Sequence, residues 1–541
     1  MEYNDRFRDF LVKNVDSHEI QLFSVSRAAS AILDFQLYLK GNSGGINFGE
    51  IIIESVPCSR VFNNESFIRW MLVKLGSDNL NCSPSEFHEK LNDKAKAKKT
   101  LKKYFGLKSA SRKIKKTNTS TIVRPFSKKD FQDVSPSYLE MHDFQIRVKD
   151  DMTRVLRGKG NSRLLVQMPT GSGKTRTAIE YIIDHIRTNS CSSYDHNIYM
   201  WFTNSVELCE QALETFKEFW RYKGDRVVGV HRLYGDSSSE NLYNSILNEN
   251  VSIVFIGFQK FNSLFDSKKI SESRLLQMFR ENNVLSVVDE AHISLANTYD
   301  HAIEYVSEFY RSSLIGLTAT PGRNSFVVGE SSNALLAQKF HKNIVQIHFS
   351  NGEEYSPIEL LQNLGYLAKV EINEIENISN LKASVPIDQL AFDSKRNIRI
   401  VEIISDRVEA NKSILVFSAS TEHSVVLSAC LKSVGVYSEV VDANTSRDVR
   451  TSSIESFKKG NLKVLINYGV LSTGFDAPIL DCLLIARPIS SIVLYSQIVG
   501  RALRGPLNGG NDKNEIIVIK DRMVNYPDPS FLYSYWDLFW D

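Results

Sequence analysis

Residues 168–175 read MPTGSGKT and directly follow the apolar run RLLVQ. They fit the phosphate-loop pattern G-x-x-x-x-G-K-[ST], except that Met168 stands where the first glycine would be. In such a loop the backbone N–H groups point at phosphate oxygens at the start of a helix. Lys174 would reach the outer phosphates and Thr175 would ligate Mg²⁺. The loop residues expected around a nucleotide are Thr170, Gly171, Ser172, Gly173, Lys174 and Thr175.

An acidic pair follows a second apolar run, in VLSVVDEAH. Asp289 would hold Mg²⁺, while Glu290 would orient and deprotonate an attacking water. Alone, such a pair is often only the acidic start of a helix, and a Gly-Ser-Gly segment is often only a flexible turn. Because both groups stand directly after apolar runs, we interpret them together as a site that binds and hydrolyses ATP with Mg²⁺.

A regular alternation of segment types in the sequence indicates the elements that must position these residues. From about residue 135, short apolar runs alternate with longer amphipathic segments. Strands that are apolar throughout and alternate with helices are typical of parallel sheets covered on both faces, so an α/β fold is expected. The predicted division is an N-terminal accessory domain at 1–92, a basic linker at 93–124, a first lobe at 125–345, a connector at 346–395 and a second lobe at 396–541.

The N-terminal segment mixes helical patterning with a strand-like run, GEIIIESV, so a small domain that is mainly helical or α+β is expected. From Lys94 to Lys116 there are eleven Lys or Arg and no acid. One interpretation is a solvated helix face or tether. The other is contact with a phosphate backbone, where Lys and Arg displace counterions. Both interpretations stay open at this point.

Composition narrows the class of protein without naming a partner. A length of 541 residues exceeds one ordinary core, and the net charge of +2 confines any basic surface to a local patch. The six cysteines include no Cys-x-x-Cys pair, which disfavours a zinc module or a disulfide framework. No apolar stretch is long enough to span a membrane, and the first residues lack a secretory signal. We therefore expect a cytoplasmic protein without a membrane partner.

Taken in order, the motifs resemble those of the superfamily 2 DEAD/DEAH-box helicases and translocases. The Lys174 loop, DEAH at 289–292 and Thr-Ala-Thr at 318–320 carry the resemblance, which covers roughly residues 138–520. It implies two RecA-like lobes, with ATP and Mg²⁺ in the cleft between them and a nucleic-acid strand lying across both.

The resemblance implies roles for residues of the nucleotide cleft. LEMHDFQ looks like the adenine-reading Q element, in which Gln145 bonds the base edge and Phe144 shapes the pocket. QIVGRALRG resembles motif VI, which implies that Gln497 lies near the γ-phosphate and that Arg501 and Arg504 are arginine fingers. An arginine of the facing lobe stabilises charge on the γ-phosphoryl oxygens only when the cleft closes.

Coupling and strand-contacting roles follow from the same resemblance. LTATPGR looks like motif III, and INYGVLSTGFDAP resembles motif V, whose Gly474 and Asp476 would belong to the nucleotide site. The residues expected to couple hydrolysis to lobe movement are His292, Thr318, Ala319 and Thr320. The residues expected to face nucleic acid are Thr203, Asn204, Gly257, Gln259, Ser418 and Thr473, with Gly474 beside the strand phosphates.

The subtype favours DNA over RNA. HDFQ, LTATP, STGFDAP and ARPISSIVLYSQIVGRALR together look most like DNA-acting members, including RadD-type and XPB-type proteins and the motors of restriction and phage-defence systems. We therefore expect an ATP-dependent DNA helicase or translocase in repair or defence. An RNA helicase or RNA-remodelling ATPase is the alternative, and a scaffold that has lost turnover is a third.

Two terminal segments carry separate expectations. The N-terminal domain is expected to dock a protein partner, such as a nuclease or a defence-complex subunit, or to grip duplex. The terminal FLYSYWDLFWD is aromatic at helical spacing. We expect it to pack against the second lobe, with stacking on bases as the alternative.

Overall fold

The computed structural model describes residues 4–15, 27–40, 46–55, 61–62, 65–107, 119–126, 140–157, 162–189, 196–267, 269–307, 312–322, 330–348, 356–376, 387–471, 480–489 and 491–520, together with residues 533, 536, 537 and 540. Among these residues, no helix combines the length and the apolar character that crossing a membrane requires.

Six helices form the described part of the N-terminal segment. They are α1 (Asp5–Asn14), α2 (Arg27–Lys40), α3 (Phe48–Ser55), α4 (Glu65–Asn79), α5 (Pro84–Asn92) and α6 (Lys94–Phe105). The expectation of a strand in GEIIIESV was wrong, because this run forms α3. Ile51 and Ile52 are both buried, and α3 packs against α1, α2 and a helix of the second lobe. A helix covered on several sides loses its polar stripe, and with it the periodicity that marks a helix in a sequence.

The basic segment does not begin as a linker. Helix α6 is capped by the Asp93 side chain at its start and by the left-handed Gly106 at its end. Its Ala97, Leu101 and Phe105 are buried in the core of the N-terminal helices. The first part of the predicted linker at 93–124 is therefore not a linker. It is a packed helix, because apolar residues recur at every fourth position between the lysines.

The first lobe contains an eight-stranded sheet in the order β1-β4-β5-β3-β6-β7-β2-β8, parallel throughout except for the antiparallel β1. Its strands are β1 (Ser120–Val123), β2 (Arg163–Gln167), β3 (Asn197–Thr203), β4 (Val228–Leu233), β5 (Val251–Gly257), β6 (Asn283–Asp289), β7 (Ser313–Thr318) and β8 (Ile344–Val345). Strand β1 lies in the predicted linker, so the other end of that segment also belongs to a sheet.

The helices of the first lobe cover both faces of this sheet, as expected for parallel strands. They are α7 (Asp143–Leu156), α8 (Lys174–Thr188), α9 (Val206–Lys223), α10 (Leu242–Leu247), α11 (Phe258–Phe265), α12 (Ile270–Asn282), α13 (Asn297–Ser307) and α14 (Glu330–Lys339). Two buried clusters, one on each face of the sheet, form the core.

The second lobe contains a six-stranded parallel sheet in the order β11-β12-β10-β13-β14-β9. The strands are β9 (Lys369–Glu376), β10 (Ile414–Phe417), β11 (Ser438–Val441), β12 (Val464–Asn467), β13 (Cys482–Ile485) and β14 (Lys513–Lys520). The remaining helices are α15 (Pro357–Asn363), α16 (Ile387–Leu390), α17 (Ser394–Glu409), α18 (Thr421–Ser433), α19 (Arg447–Lys458) and α20 (Ile492–Val499).

Strand β9 corrects the predicted connector at 346–395, because it pairs with β14 along its whole length. It is an edge strand with no fully buried side chain. Its sequence, KVEINEIE, places single apolar residues between charged or polar ones. The apolar runs by which the other strands were recognised are therefore missing from it, and the second sheet extends into the connector.

The N-terminal helices pack on the second lobe and share one buried core with it. Helix α2 lies against α17 and α18, and its buried Ile32 and Phe35 join the same cluster as Val426 and Cys430. The Gln36 side chain donates a hydrogen bond to Ser433 across this contact (3.3 Å). The two segments are more than 350 residues apart in the chain, yet they form one packed body.

The aromatic C-terminal segment contacts both lobes. The expectation that it packs against the second lobe holds for Trp536, which is buried in that lobe's core. Tyr533 and Trp540 are instead buried in the two core clusters of the first lobe. The expectation is therefore corrected: rings at helical spacing did not reveal that Tyr533, Trp536 and Trp540 enter different lobes.

Candidate active site between the lobes

The phosphate loop follows β2 and opens helix α8, as the sequence predicted. Gly171 and Gly173 both have φ of +87°, a conformation that favours glycine. Met168, at the position of the missing glycine, is buried and donates its backbone N–H to the Thr318 carbonyl (3.1 Å). The Ser172 hydroxyl donates to the Pro169 carbonyl (2.7 Å), which closes the loop on itself.

Lys174 and the two carboxylates lie together at the carboxyl ends of neighbouring strands. Asp289 ends β6 and is buried, and Glu290 follows it with a left-handed φ of 55°. Burial lowers the pKa of the Lys174 ammonium, while Glu290 and Asp289 oppose that shift. Burial and the neighbouring Glu290 raise the pKa of Asp289, while Lys174 lowers it. Each charge in this group depends on the others, which is typical of a catalytic cluster.

A cavity of about 270 Å³ adjoins this cluster and has walls from both lobes. Its lining comprises Thr170, Gly171, Gly173, Lys174, Thr175, Arg176, Leu208, Gln211, Thr215, Asp289 and Glu290 from the first lobe, and Gly500, Arg501, Arg504 and Asn508 from the second. A partly buried ammonium, a hydroxyl, two carboxylates and two guanidinium groups from the facing lobe match the charges of a Mg²⁺-bound triphosphate. The residues present therefore fit the expected nucleotide and metal.

The second lobe approaches the loop very closely at Gly500. A Cβ atom at this position would lie 2.4 Å from the Thr170 Cβ, so only glycine fits the observed contact. Asn508 adds a long hydrogen bond from its amide to the Gly171 carbonyl (3.5 Å). Away from the cavity, Arg450 forms an ion pair with Glu207 of the first lobe (2.7 Å).

His292 connects the acidic pair to motif III and to the second lobe. Its Nδ1 lies 3.4 Å from a Glu290 carboxylate oxygen and 3.3 Å from the Thr318 hydroxyl. Its Nε2 lies 3.5 Å from the Gln497 side-chain amide. Because the Thr318 hydroxyl donates to the Thr320 carbonyl (2.9 Å), a neutral imidazole with the proton on Nδ1 satisfies all these contacts. Ala319 lies buried between these two threonines, in the same tight turn.

The Q element sits against the back of the phosphate loop. Gln145 is buried, accepts a hydrogen bond from the His142 backbone and donates to the Ser172 carbonyl (2.9 Å). Phe144 is buried below the His142 ring. In this structure Gln145 holds the loop through its side-chain amide, and its contact with a base edge stays a prediction.

Two residues beside this element, Tyr366 and Asn508, were not identified from the sequence. The Tyr366 ring lies 4.3 Å from the His142 ring and 5.0 Å from the Phe144 ring, measured between centroids. Asn508 donates to the Tyr366 carbonyl (2.8 Å). Burial lowers the pKa of His142, and a hydrogen bond with Asn508 opposes that shift. Tyr366 lies in the predicted connector, far along the chain from His142, so no local spacing indicated this aromatic group.

The predicted nucleic-acid residues fall into two groups. Thr203 and Ser418 are buried, and each hydroxyl is bonded to the carbonyl two residues onward, at Ser205 and Ser420 (both 3.1 Å). Asn204 and Gln259 are exposed and Gly257 is partly exposed. Of the motif V candidates, Thr473, Gly474 and Asp476 lie outside the described residues. Thr203 and Ser418 therefore stabilise the backbone turns that follow their strands, and their own side chains are not exposed on the surface.

Comparisons with known proteins agree with this geometry. Residues 138–323 match the family model for the type III restriction enzyme res subunit, and residues 395–506 match the helicase conserved C-terminal domain. Together these models match more than half of the chain. The chain belongs to the superfamily 2 helicases, in the branch that shares its first domain with restriction-enzyme motors.

Individual relatives are distant. The chain is 23% identical over 376 residues to the "Putative ATP-dependent helicase IRC3" of Saccharomyces cerevisiae, covering 67% of this chain and 49% of that protein. It is 24% identical over 373 residues to the ATP-dependent DNA helicase Hel308 of Pyrococcus horikoshii, covering 62% and 47%. The chain thus spans about half the length of the curated relatives it matches.

The fold has counterparts among solved structures. One is a fragment of a "putative HsdR subunit of a type I restriction enzyme" from Vibrio vulnificus, with a TM-score of 0.52 at 20% identity. The match covers 81% of this chain and 72% of that one. Two α/β bodies with parallel sheets, as expected from the sequence, are therefore the RecA-like lobes of this family.

Proposed function

We propose that the chain is an ATP-hydrolysing motor that moves along DNA or unwinds it. The cavity between the lobes carries this proposal, because Lys174, Asp289 and Glu290 on one wall face Arg501 and Arg504 on the other. A site divided in this way can be complete only when the lobes approach each other. Hydrolysis and lobe movement would then depend on each other.

Each side chain has a role that its position supports. The Lys174 ammonium would bind the outer phosphates of ATP, and Glu290 would orient a water and take its proton. Arg501 and Arg504 would stabilise the charge that develops on the transferred phosphoryl group. Thr175 and Asp289 would hold Mg²⁺, which supplies neutralising charge to the phosphates when bound.

His292 would report the state of the acidic pair to the second lobe. It contacts Glu290 and Thr318 within the first lobe and the Gln497 amide across the cleft. A change at Glu290 during hydrolysis would therefore alter a contact between the lobes directly. We propose that this chain of contacts couples turnover to opening and closing.

DNA is the proposed track. Hel308 is named as a DNA helicase, and the family model for the first lobe describes a restriction-enzyme subunit. We further propose a role in DNA repair or in defence against foreign DNA, with a nuclease or another defence subunit as the protein partner. An RNA substrate is the competing possibility.

The test is steady-state ATP hydrolysis measured without polymer and with single-stranded DNA, duplex DNA, forked DNA or RNA. Lys174→Ala serves as the inactive control in every arm. We expect stimulation by at least one form of DNA, and the form that stimulates most identifies the track. Stimulation by RNA alone would overturn the DNA proposal, and the absence of ATP hydrolysis in every arm would overturn the motor.

A further inference from the structure

Helix α6 presents a concentrated positive charge that the nucleotide site does not use. Its twelve residues include six lysines and no acidic residue. Ala97, Leu101 and Phe105 form a buried stripe, so the orientation of the helix is fixed by the core. Lys99 and Lys103, on the opposite side, are exposed. The lysines are therefore held as one surface and do not lie on a free tether.

The concentration of lysines on this surface destabilises helix α6. Lys99 and Lys103 are one helical turn apart, as are Lys94 and Lys98, and like charges at this spacing destabilise a helix. Lysine in the first turn also opposes the helix dipole. Lys96 is paired with Glu89 of α5, and the Asp93 side chain caps the helix start. A face that serves only solubility would gain from alternating signs, whereas this helix carries one sign.

A further cation lies beside the helix. The guanidinium of Arg6 on α1 stacks over the Tyr104 ring, 4.1 Å from its centroid. Arg6 is exposed, so its charge adds to the same end of α6 as Lys103. The packing of α1 on α6 through Phe7, whose ring centroid is 4.6 Å from that of Phe105, holds these cations in place.

We infer that the lysine face of α6, together with Arg6, is a second nucleic-acid surface that binds the phosphate backbone of duplex DNA. Because the N-terminal helices share a core with the second lobe, this surface moves with that lobe. It would hold the duplex while the cleft opens and closes. The inference rests on the proposed function, since it adds a grip to a DNA motor.

The test replaces Lys96, Lys99 and Lys103 together with Ala, which also favours a helix. A matched control replaces three exposed lysines elsewhere, Lys13, Lys74 and Lys459. Binding of a labelled blunt duplex without nucleotide is measured between about 50 and 200 mM KCl. We expect the affinity of the α6 variant to fall about tenfold, and the salt slope to become shallower by about 2 to 3. Polymer-free ATP hydrolysis should stay unchanged.

Each outcome separates this inference from the proposed function. If wild-type ATP hydrolysis responds to DNA but the α6 variant keeps the wild-type salt slope, the surface is not a duplex grip. An equal loss in the control variant would have the same meaning. If vesicles containing phosphatidylserine bind α6 and duplex does not, the face belongs to a membrane contact and the inference is wrong. Absence of ATP hydrolysis by the wild type, with and without every polymer, would count against the motor itself.

Discussion

Glu290 is the proposed catalytic base of the cleft. It has a left-handed backbone, contacts His292 and lines the cavity beside the partly buried Lys174. We predict that Glu290→Gln binds ATP nearly as well as the wild type but loses steady-state turnover by about 100-fold or more, because the amide cannot take a proton. ATP-analogue titration and a phosphate-release assay measure the two effects. Glu281→Gln, at an exposed residue of α12, is the control, and wild-type turnover in Glu290→Gln would exclude the base role.

Thr318 allows a sharper test of coupling than the acidic pair does. Its hydroxyl accepts from the Thr320 N–H (3.0 Å) and contacts His292. Thr318→Val keeps the volume and removes these contacts, each worth about 1 kcal/mol. We predict retained ATP binding and weakened stimulation of hydrolysis by DNA, measured as the ratio of turnover with and without polymer.

Thr320→Val is the matched control for that change. In the part of the chain that the structure describes, the Thr320 hydroxyl is buried and makes no hydrogen bond. Removing this hydroxyl should therefore leave the ratio of turnover with and without polymer nearer to the wild-type value. Equal effects of the two substitutions would show that Thr318 has no special place in the coupling.

At the residue scale, local patterns predicted the phosphate loop and the acidic pair well, because a few adjacent residues determine each of them. Gly171, Gly173 and Lys174 need only a strand before them and a helix after them. The aromatic group of His142 and Tyr366 could not be predicted in this way. Tyr366 reaches His142 because the segment between the lobes packs into the first lobe's core, in the same cluster as Phe144, and no sequence spacing encodes that approach.

Ion pairs link three elements of the first lobe, β2, α13 and α14. Arg163 of β2 and Lys339 of α14 both donate to Glu304 of α13, at 2.7–2.9 Å. Burial would raise the pKa of Glu304, but the hydrogen bonds and the positive charges of these two residues outweigh it and lower the pKa to about 2. The group therefore stabilises the folded state above the usual pKa of a glutamate, and that contribution is lost as the pH falls toward 2.

We predict that Glu304→Gln lowers the melting temperature at neutral pH and flattens its decline between about pH 4.5 and pH 2. Scanning calorimetry across this range measures both effects. Glu218→Gln, on the exposed face of α9, should keep the wild-type pH profile. A parallel profile for Glu304→Gln and the wild type would show that the pairing adds nothing to stability.

The C-terminal aromatic segment acts as an element of the cleft, although only four of its residues are described. The Tyr533 hydroxyl donates to the carbonyl of Gln167, which ends β2, and Gln167 donates back to the Tyr533 carbonyl (3.0 and 2.7 Å). The Trp540 indole donates to the Pro321 carbonyl (3.1 Å). The segment is thus attached to the strand before the phosphate loop and to motif III.

Trp536 is the part of this segment that reaches the second lobe. Its ring packs so tightly on Gly322 that a Cβ there would lie 2.1 Å from it. We predict that Trp536→Ala lowers the free energy of unfolding by about 3–5 kcal/mol, since a large buried ring leaves a cavity. Urea unfolding measures this. Tyr437→Ala, at a ring that is mostly exposed, should change it by less than about 0.5 kcal/mol, and a similarly small effect at Trp536 would contradict its buried role.

Elements were predictable where their burial matches the sequence pattern that is usual for their type. The apolar runs of β2, β3 and β6 indicated strands because both faces of the sheet are covered. Helix α3 and strand β9 were missed for opposite reasons, since one is buried on several sides and the other lies at an edge. The docking of Tyr533 and Trp540 depended on the surface of a distant lobe, which the segment's own sequence does not contain.

At the scale of the whole molecule, the approach of the lobes at Gly500 determines whether the site can be completed. We predict that Gly500→Ala reduces ATP turnover strongly while ATP binding falls much less, because the new methyl group would overlap Thr170 and keep the lobes apart. Adding Thr170→Gly removes the overlapping atom and should recover part of the turnover. Thr170→Gly alone is the control. Unchanged turnover in Gly500→Ala would mean that this approach is not needed.

The shared core of the N-terminal helices and the second lobe has a consequence for synthesis on the ribosome. Helix α2 emerges well before the helices that cover it, because α17 and α18 begin more than 350 residues after α2 ends. At about 5–20 residues per second, that interval lasts on the order of tens of seconds. During this time Ile32, Phe35 and the other apolar side chains of α2 lack the surface they bury against. The nascent chain would therefore depend on chaperones until its second lobe appears, and a prematurely truncated product would be prone to aggregate.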